Sequence, residues 1–130
     1  MLTNLIDSNV LIDVRRGRPE ALAWMAGAAS VPFAVPGIAV LEVLSGCRDR
    51  VDMAATSAWL DGFQVIWPEP EDWLAASRLL VQYRLSHGLD IGDAILGAMA
   101  LRLNARLLTL NLKHFRAIPN LDAVAPYASA

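Results

Sequence analysis

The stretch LTNLIDSNVLIDVR, residues 2–15, determines how the rest of the chain is interpreted, because a strand pattern changes to a helix pattern at one acidic residue. Residues 2–6 are apolar and stop at Asp-Ser-Asn, residue types that end strands and cap helices. We therefore predict a buried strand over residues 2–6 and a short helix over residues 8–15. Asp7 lies at the junction between them.

The same alternation continues along the whole chain. Further strands are predicted over residues 32–35, 63–67 and 106–110, and an edge strand near residues 121–124 would add one more. Helices are predicted over residues 20–29, 38–46, 49–62, 69–86 and 93–104. Strands that alternate with helices form βαβ units with right-handed crossovers. The predicted fold class is therefore α/β, a three-layer α/β/α sandwich around a mainly parallel sheet of four or five strands.

Length and composition indicate one domain with surplus apolar surface. The chain has 130 residues and no linker, so we expect a single domain over residues 1–130. Its hydrophobic content of 55% and mean hydropathy of +0.40 mean that helices cover both sheet faces, or that some surface awaits a partner. No long apolar run lacks a charge, and Asp7 and Asp13 interrupt the segment where a secretion signal would lie. We expect a cytoplasmic protein with no membrane partner.

Cysteine content and charge exclude several classes of site. Cys47 is the only cysteine, which excludes an internal disulfide and a thiolate-cluster zinc site within one chain. The net charge of −2 lacks the basic character expected of a protein that grips long duplex tracts. An enzyme that touches a few nucleotides is still compatible with this charge.

Three carboxylates lie in apolar surroundings: Asp7, Glu42 in IAVLEVLSG and Asp93 in LDIGDAILGAMA. An ionised carboxylate buried without a partner costs several kcal/mol or more, and a shared divalent cation would satisfy all three. In open parallel sheets, the carboxyl ends of strands and the starts of the following helices face one crevice. Asp7 and Asn111 follow strands, Asp93 begins a helix and Glu42 lies one turn into another. The spacing is compatible with one metal site.

Structural roles also account for parts of this pattern. Asp7 is a favoured cap for the helix that starts at Ser8, and Asp90 with Asp93 resembles a capping pair. A salt bridge to a nearby arginine is the structural alternative for Glu42, and the two candidates are Arg48 and Arg50.

The remaining polar and aromatic residues receive structural interpretations. Asp13 is expected to pair with Arg15 or Arg16. His87 and His114 are interpreted as surface histidines. Exposed turns and a helix start are expected to contain Asp61, Glu69, Glu71 and Asp72. Core packing is expected for Trp24, Trp59, Trp67 and Trp73.

Four blocks, LIDSNVLID, VLEVLSG, GDAILGAMA and LLTLNLKHF, occur in an order and spacing that resemble PIN-domain ribonucleases, and more narrowly VapC-type toxins of bacterial toxin–antitoxin pairs. The similarity runs nearly end to end, and the combination of blocks is specific although no single block is. The resemblance implies an endoribonuclease dependent on Mg²⁺ or Mn²⁺. It also implies a homodimer whose acidic groove is occluded by a cognate antitoxin protein.

By motif, the resemblance implies that the catalytic and metal-binding acids are Asp7, Glu42 and Asp93. Where many members have a fourth aspartate, in a T-x-D-x-x-F arrangement, this chain has Asn111, whose neutral oxygen should weaken metal binding. Asp90 is a candidate to compensate for that loss. Secondary roles in positioning the phosphate or waters are expected of Ser8, Asn9 and Thr109.

Two further hypotheses are open, and Asn111 supports the first of them. The chain could be a catalytically weak or inactive PIN-like binding module that acts through a protein partner, or a structural dimer. Metal-dependent cleavage of RNA would distinguish a nuclease from the binding module and from the structural dimer. The sequence does not distinguish Mg²⁺ from Mn²⁺, because both favour the same oxygen ligands.

Overall fold

A five-stranded parallel sheet forms the centre of the computed structural model, which describes residues 3–27 and 32–129. The strands are β1 (Asn4–Ile6), β2 (Phe33–Pro36), β3 (Val65–Ile66), β4 (Arg106–Leu108) and β5 (Ala123–Val124). Their order across the sheet is β3-β2-β1-β4-β5, and every neighbouring pair is parallel. The predicted parallel α/β sheet is confirmed, with the edge strand present as the fifth strand.

Helices cover both faces of this sheet. They are α1 (Ser8–Arg15), α2 (Pro19–Gly27), α3 (Gly37–Ser45), α4 (Arg50–Leu60), α5 (Pro70–His87), α6 (Ile91–Leu103) and α7 (Leu112–Phe115). Helices α5, α6 and α7 contribute to one core, whereas α1, α3 and α4 contribute to the other. None of the helices in the described part of the chain is both long and apolar enough to cross a membrane.

The three-layer arrangement follows from the alternation of side chains along the short central strands. Successive residues of a strand point to opposite faces, so each strand supplies both cores. One core contains Leu5, Ala34 and Leu107, and the other contains Ile6, Val35 and Leu108. Because neither face of these strands is polar, both must be covered, as is typical of parallel sheets.

Most predicted boundaries agree with the structure within a few residues. Residue 2 of the first predicted strand and residues 28–29 of the second predicted helix lie outside the described residues. The helix predicted from residue 93 instead begins at Ile91, because Asp90 caps it. The third strand is shorter than predicted and covers Val65–Ile66 alone.

Helix α5 leaves several bulky apolar side chains exposed. Val81 is 87% exposed and Leu85 is 98% exposed, and Leu74 is also exposed. The helix instead buries Ala76 and Asp72. Ala76 is small enough for α5 to pack closely on α6, and Leu79, Leu80 and Tyr83 of α5 are partly buried against the same core.

The course of the chain creates a crevice beside the central strand. From β1, the sheet continues through β2 on one side and through β4 on the other. Groups at the carboxyl ends of strands face a ligand crevice at such a reversal in strand order. Asp7 follows β1, Thr109 follows β4, and α3 follows β2 with Glu42 on it. The predicted acidic residues are therefore carried by elements that meet at one edge of the sheet.

Candidate active site

Asp7 ends the central strand and caps the first helix, and its side chain is only 7% exposed. Its Oδ1 accepts a hydrogen bond of 2.7 Å from the backbone N–H of Ser8, and its Oδ2 accepts one of 2.8 Å from the hydroxyl of Thr109. Burial raises the pKa of Asp7, and the hydrogen bonds from Thr109 and Ser8 oppose that shift. The predicted capping role is confirmed, and the same carboxylate lies at the crevice.

Thr109 and Asn9 join the ends of β1 and β4 around this carboxylate. The hydroxyl of Thr109 also accepts a hydrogen bond of 3.0 Å from the backbone N–H of Asn111. The amide of Asn9 donates to Asp7 Oδ2 at 3.3 Å and accepts from the backbone N–H of Leu110 at 3.2 Å. The orientation of the Asp7 carboxylate is therefore fixed by groups from both strands.

Asp90 and Asp93 lie at the start of α6. Asp90 Oδ1 accepts a hydrogen bond of 2.9 Å from the backbone N–H of Asp93, which confirms the predicted capping pair. Burial, followed by the negative charges of Asp90 and Asp7, raises the pKa of Asp93 to about 7. The cap needs the carboxylate of Asp90 only. It does not explain why Asp93 lies where the charges of Asp90 and Asp7 repel it. Such a perturbed group in a cleft is typical of functional sites.

Glu42 is exposed, contrary to the expectation from its apolar neighbours. Helix α3 turns Val40 and Val43 into the core and leaves Glu42 at the mouth of the crevice. Among the residues that the structure describes, no ion pair joins Glu42 to Arg48 or Arg50. Arg48 instead lies 3.8 Å from an aspartate of α4. The structural alternative for Glu42 is therefore absent.

Glu42 faces the other acids of the crevice. Partial burial of its carboxyl group, followed by the charges of Asp7 and Asp90, raises the pKa of Glu42. A Cβ placed on Gly92 would lie 3.5 Å from Glu42 Oε2 and 3.6 Å from Asp90 Oδ1. The two carboxylates therefore flank Gly92 at the start of α6, and α3 and α6 share one acidic cluster.

The donor set fits a partly hydrated divalent ion. Burial, followed by repulsion from neighbouring carboxylates, raises the pKa values of Glu42 and Asp93, so a cation would be stabilised among these groups. Within residues 3–27 and 32–129, no three acidic, histidine or cysteine side chains are close enough to hold one ion together. Mg²⁺ typically keeps several waters and binds one or two carboxylates directly. The cluster fits that mode of binding better than an enclosed cage.

Asn111 and His114 lie beyond the end of β4. Asn111 is exposed and precedes α7, where its side chain makes no capping hydrogen bond. His114, interpreted from the sequence as a surface residue, lies with Nδ1 at 3.5 Å from Asp93 Oδ2. The sequence does contain one indication that His114 belongs to the site. It lies one helical turn after Asn111, in the block LLTLNLKHF that also contains Thr109.

Three structural interpretations of polar and aromatic residues are wrong. Asp13 pairs with Arg18 at 2.9 Å, because the turn after α1 brings that arginine back. Asp72 is buried, and its carboxylate accepts two hydrogen bonds from Arg102 at 2.7 and 3.0 Å. The aromatic residues that are exposed and not in the core are Trp67 and Trp73.

Comparisons with known proteins agree with this arrangement. The PIN domain family model matches residues 5–121. Ribonuclease VapC19 of Mycobacterium tuberculosis is 33% identical over 123 residues, which cover 91% of this chain and 96% of the relative. A toxin–antitoxin complex from Klebsiella pneumoniae contains a chain that is 30% identical, with a TM-score of 0.71 and coverage of 97% of this chain and 99% of that one.

A more distant structure agrees in fold alone. A chain of VapBC-1 from nontypeable Haemophilus influenzae is 20% identical, with a TM-score of 0.77 and coverage of 96% of this chain and 98% of that one. The family model spans most of the sequence, and its match includes Asp7, Glu42, Asp90 and Asp93. The chain belongs to the PIN domain family.

Proposed function

We propose that this chain is a metal-dependent endoribonuclease and the toxin of a toxin–antitoxin pair, formed by one nuclease domain over residues 1–130. The observation that carries the proposal is the acidic cluster of Asp7, Glu42, Asp90 and Asp93 at the crevice of a PIN fold. Supporting it, the relatives VapC19 and VapC10 are named ribonucleases, and the Klebsiella pneumoniae neighbour is a toxin–antitoxin complex.

The acidic residues have distinct roles in this proposal. Asp7 and Asp93 would hold Mg²⁺ or Mn²⁺ directly, and Glu42 at the mouth would orient the attacking water. When bound, the ion neutralises phosphate charge and makes water a better nucleophile. Without the ion, the carboxylates repel RNA. The hydrogen bonds from Thr109 and Asn9 keep the carboxylate of Asp7 aimed into the crevice.

The test is cleavage of a structured RNA by untagged protein that has been stripped of metal and then supplied with Mg²⁺ or Mn²⁺. We expect cleavage that chelator abolishes and that is lost in Asp7→Asn and Asp93→Asn. Asp61→Asn is the matched control, because Asp61 is an exposed carboxylate at the end of α4. Equal cleavage by the control and by the two site variants would contradict the proposed roles.

Asn111 supports a second candidate function, a catalytically weak or inactive binding module. It supplies a neutral oxygen where related motifs supply a carboxylate, which weakens binding of a hard divalent cation. Metal-loaded protein that cleaves no member of a panel of tRNA, rRNA fragments and mRNA, yet binds its protein partner, would favour this candidate.

A homodimer and an antitoxin partner are part of the proposal. A groove of about 760 Å³ lies beside Glu42 and Asp90. Its apolar lining includes the exposed side chains of Val81, Leu85 and Ile91. Exposed apolar surface of this kind is typical of association sites. Light scattering tests the dimer, and a monomer at micromolar concentration would contradict it.

The antitoxin is expected to lay an amphipathic segment across the acidic groove, with an arginine near the carboxylates. A basic side chain there would occupy the position of the metal and relieve the same repulsion. Copurification with the product of a neighbouring antitoxin gene, and loss of RNA cleavage in that complex, are the expected results. A cytoplasmic location stays a prediction.

A further inference from the structure

His114 places a nitrogen donor against the acidic cluster. Its Nδ1 lies 3.5 Å from Asp93 Oδ2, and its charge is near enough to lower the pKa of Asp7. The side chain is 43% exposed, so the ring borders the open crevice and not the core. The imidazole therefore faces the same space as the carboxylates that would hold a divalent ion.

The backbone holds His114 in this place. Helix α7 (Leu112–Phe115) starts directly after Asn111, and the backbone N–H of His114 donates to the carbonyl of Asn111 at 3.0 Å. The backbone N–H of Asn111 in turn donates to the Thr109 hydroxyl that binds Asp7. Phe115, the next residue, is buried in the core and anchors the turn. The position of the ring is thus coupled to the hydrogen bonds around Asp7.

The other histidine lacks this relation to the crevice. His87 ends α5, where its Nδ1 lies 2.7 Å from the hydroxyl of Ser86 and its ring contacts Tyr83 edge to face. Both histidines are largely exposed. The difference between them is the carboxylate beside His114, which makes His87 a matched control.

The distance between His114 and Asp93 suits two ligands of one ion. Two donors bound at right angles to a small divalent cation lie about 3 Å apart. A separation of 3.5 Å needs little movement of an exposed ring, and the neutral imidazole has a lone pair available on one nitrogen. This donor also lies three residues after Asn111, whose neutral oxygen replaces an expected acid.

We propose that His114 moves toward Asp93 when a divalent ion binds there, supplies that ion with a nitrogen ligand and thereby makes the site favour Mn²⁺ over Mg²⁺. This inference rests on the proposed metal site. Mg²⁺ prefers oxygen ligands and retains its waters, so an imidazole adds little to its binding. Mn²⁺ also favours oxygen ligands, but as a first-row transition ion it accepts an imidazole nitrogen more readily than Mg²⁺ does. One histidine therefore supplies selectivity where the fourth carboxylate is absent.

The test is electron spin-echo envelope modulation of Mn²⁺ bound at one equivalent to the untagged protein, with metal affinities from calorimetry. We expect modulation from a coordinated ¹⁴N nucleus in the natural protein and in His87→Gln. In His114→Gln the modulation disappears. The same variant binds Mn²⁺ about 10-fold more weakly and keeps the affinity of the natural protein for Mg²⁺.

Two results would overturn the inference. Bound Mn²⁺ without ¹⁴N modulation in the natural protein would remove His114 from the ligand set, as would unchanged Mn²⁺ affinity in His114→Gln. Either result leaves the proposed function standing if Asp93→Asn still abolishes metal binding and RNA cleavage. The proposed function fails separately if the natural protein binds neither ion and cleaves no RNA.

Discussion

Replacement of Asp93 by asparagine should stabilise the metal-free protein. Asp93 is 16% exposed, and burial together with the charges of Asp90 and Asp7 raises its pKa from 3.8 to about 7. Its ionised form is therefore unfavourable in the folded state. Asparagine has nearly the same shape and no charge, so Asp93→Asn removes the repulsion while the α6 cap from Asp90 remains.

The magnitude follows from the shift in pKa. About three pKa units at about 1.4 kcal/mol each give an upper value near 4 kcal/mol. We expect Asp93→Asn to raise the free energy of unfolding by about 2–4 kcal/mol at about pH 8. Below about pH 4 the carboxyl is protonated in both states and the advantage disappears. Because the folded pKa is the higher one, the natural protein loses stability as pH rises between about 4 and 7, and the loss is complete above that range.

Urea unfolding of metal-free protein at about pH 4 and about pH 8 measures this difference. Asp61→Asn, at an exposed carboxylate, is the control and should show no such change with pH. A divalent ion at about 100 times its dissociation constant should then stabilise the natural protein by about 2.7 kcal/mol and leave Asp93→Asn unaffected. Repulsion at Asp93 is excluded if Asp93→Asn is no more stable than the natural protein at about pH 8, or if its advantage is equal at both pH values.

Three further substitutions test the packing and the site. Arg102→Met removes the two hydrogen bonds that Arg102 donates to the buried carboxylate of Asp72 and leaves the one from the backbone N–H of Glu69. The free energy of unfolding should fall by about 2–4 kcal/mol, and adding Asp72→Asn should restore part of it. Equal urea midpoints for the single and double variants would contradict this. Thr109→Val removes the 2.8 Å hydrogen bond to Asp7 and should weaken Mn²⁺ binding about 10-fold in calorimetry. Unchanged affinity would show that the bond does not orient the ligand. Gly97→Val should lower the free energy of unfolding by about 1–3 kcal/mol, because a Cβ at this position would lie 2.8 Å from a methyl group of the buried Ile118. An unaltered urea midpoint would mean that α6 packs less closely than this distance indicates.

The sequence predicts the parts of this fold that depend on local signals. The apolar residues before Asp7 and the polar residues after it indicate a strand that leads into a helix, and both elements are present. Asp90 precedes Asp93 by three residues, which predicts the cap at the start of α6. The alternation of such units predicts a parallel sheet. In a parallel sheet the carboxyl ends of the strands lie at one edge, so the topology also predicts that the acids gather at that edge.

Tertiary contacts are harder to predict because their signals lie far apart in the sequence. Asp72 and Arg102 are 30 residues apart, so the pattern of α5 alone shows an acidic helix start and not a buried ion pair. Because the buried pair of Asp72 and Arg102 sets which side of α5 faces the core, Val81 on the same helix faces outward. His114 illustrates the same limit, since its distance to Asp93 depends on how α7 folds back after β4.

In the proposed site, Asp7, Glu42 and Asp93 share one divalent ion. Crystals of the untagged protein soaked in Mn²⁺ test it through anomalous diffraction, because the scattering locates the ion without reference to activity. We expect one strong anomalous peak in the crevice, within direct or water-mediated contact of all three carboxylates. A structure that binds no Mn²⁺ in the crevice, or binds it only elsewhere on the surface, would contradict the account.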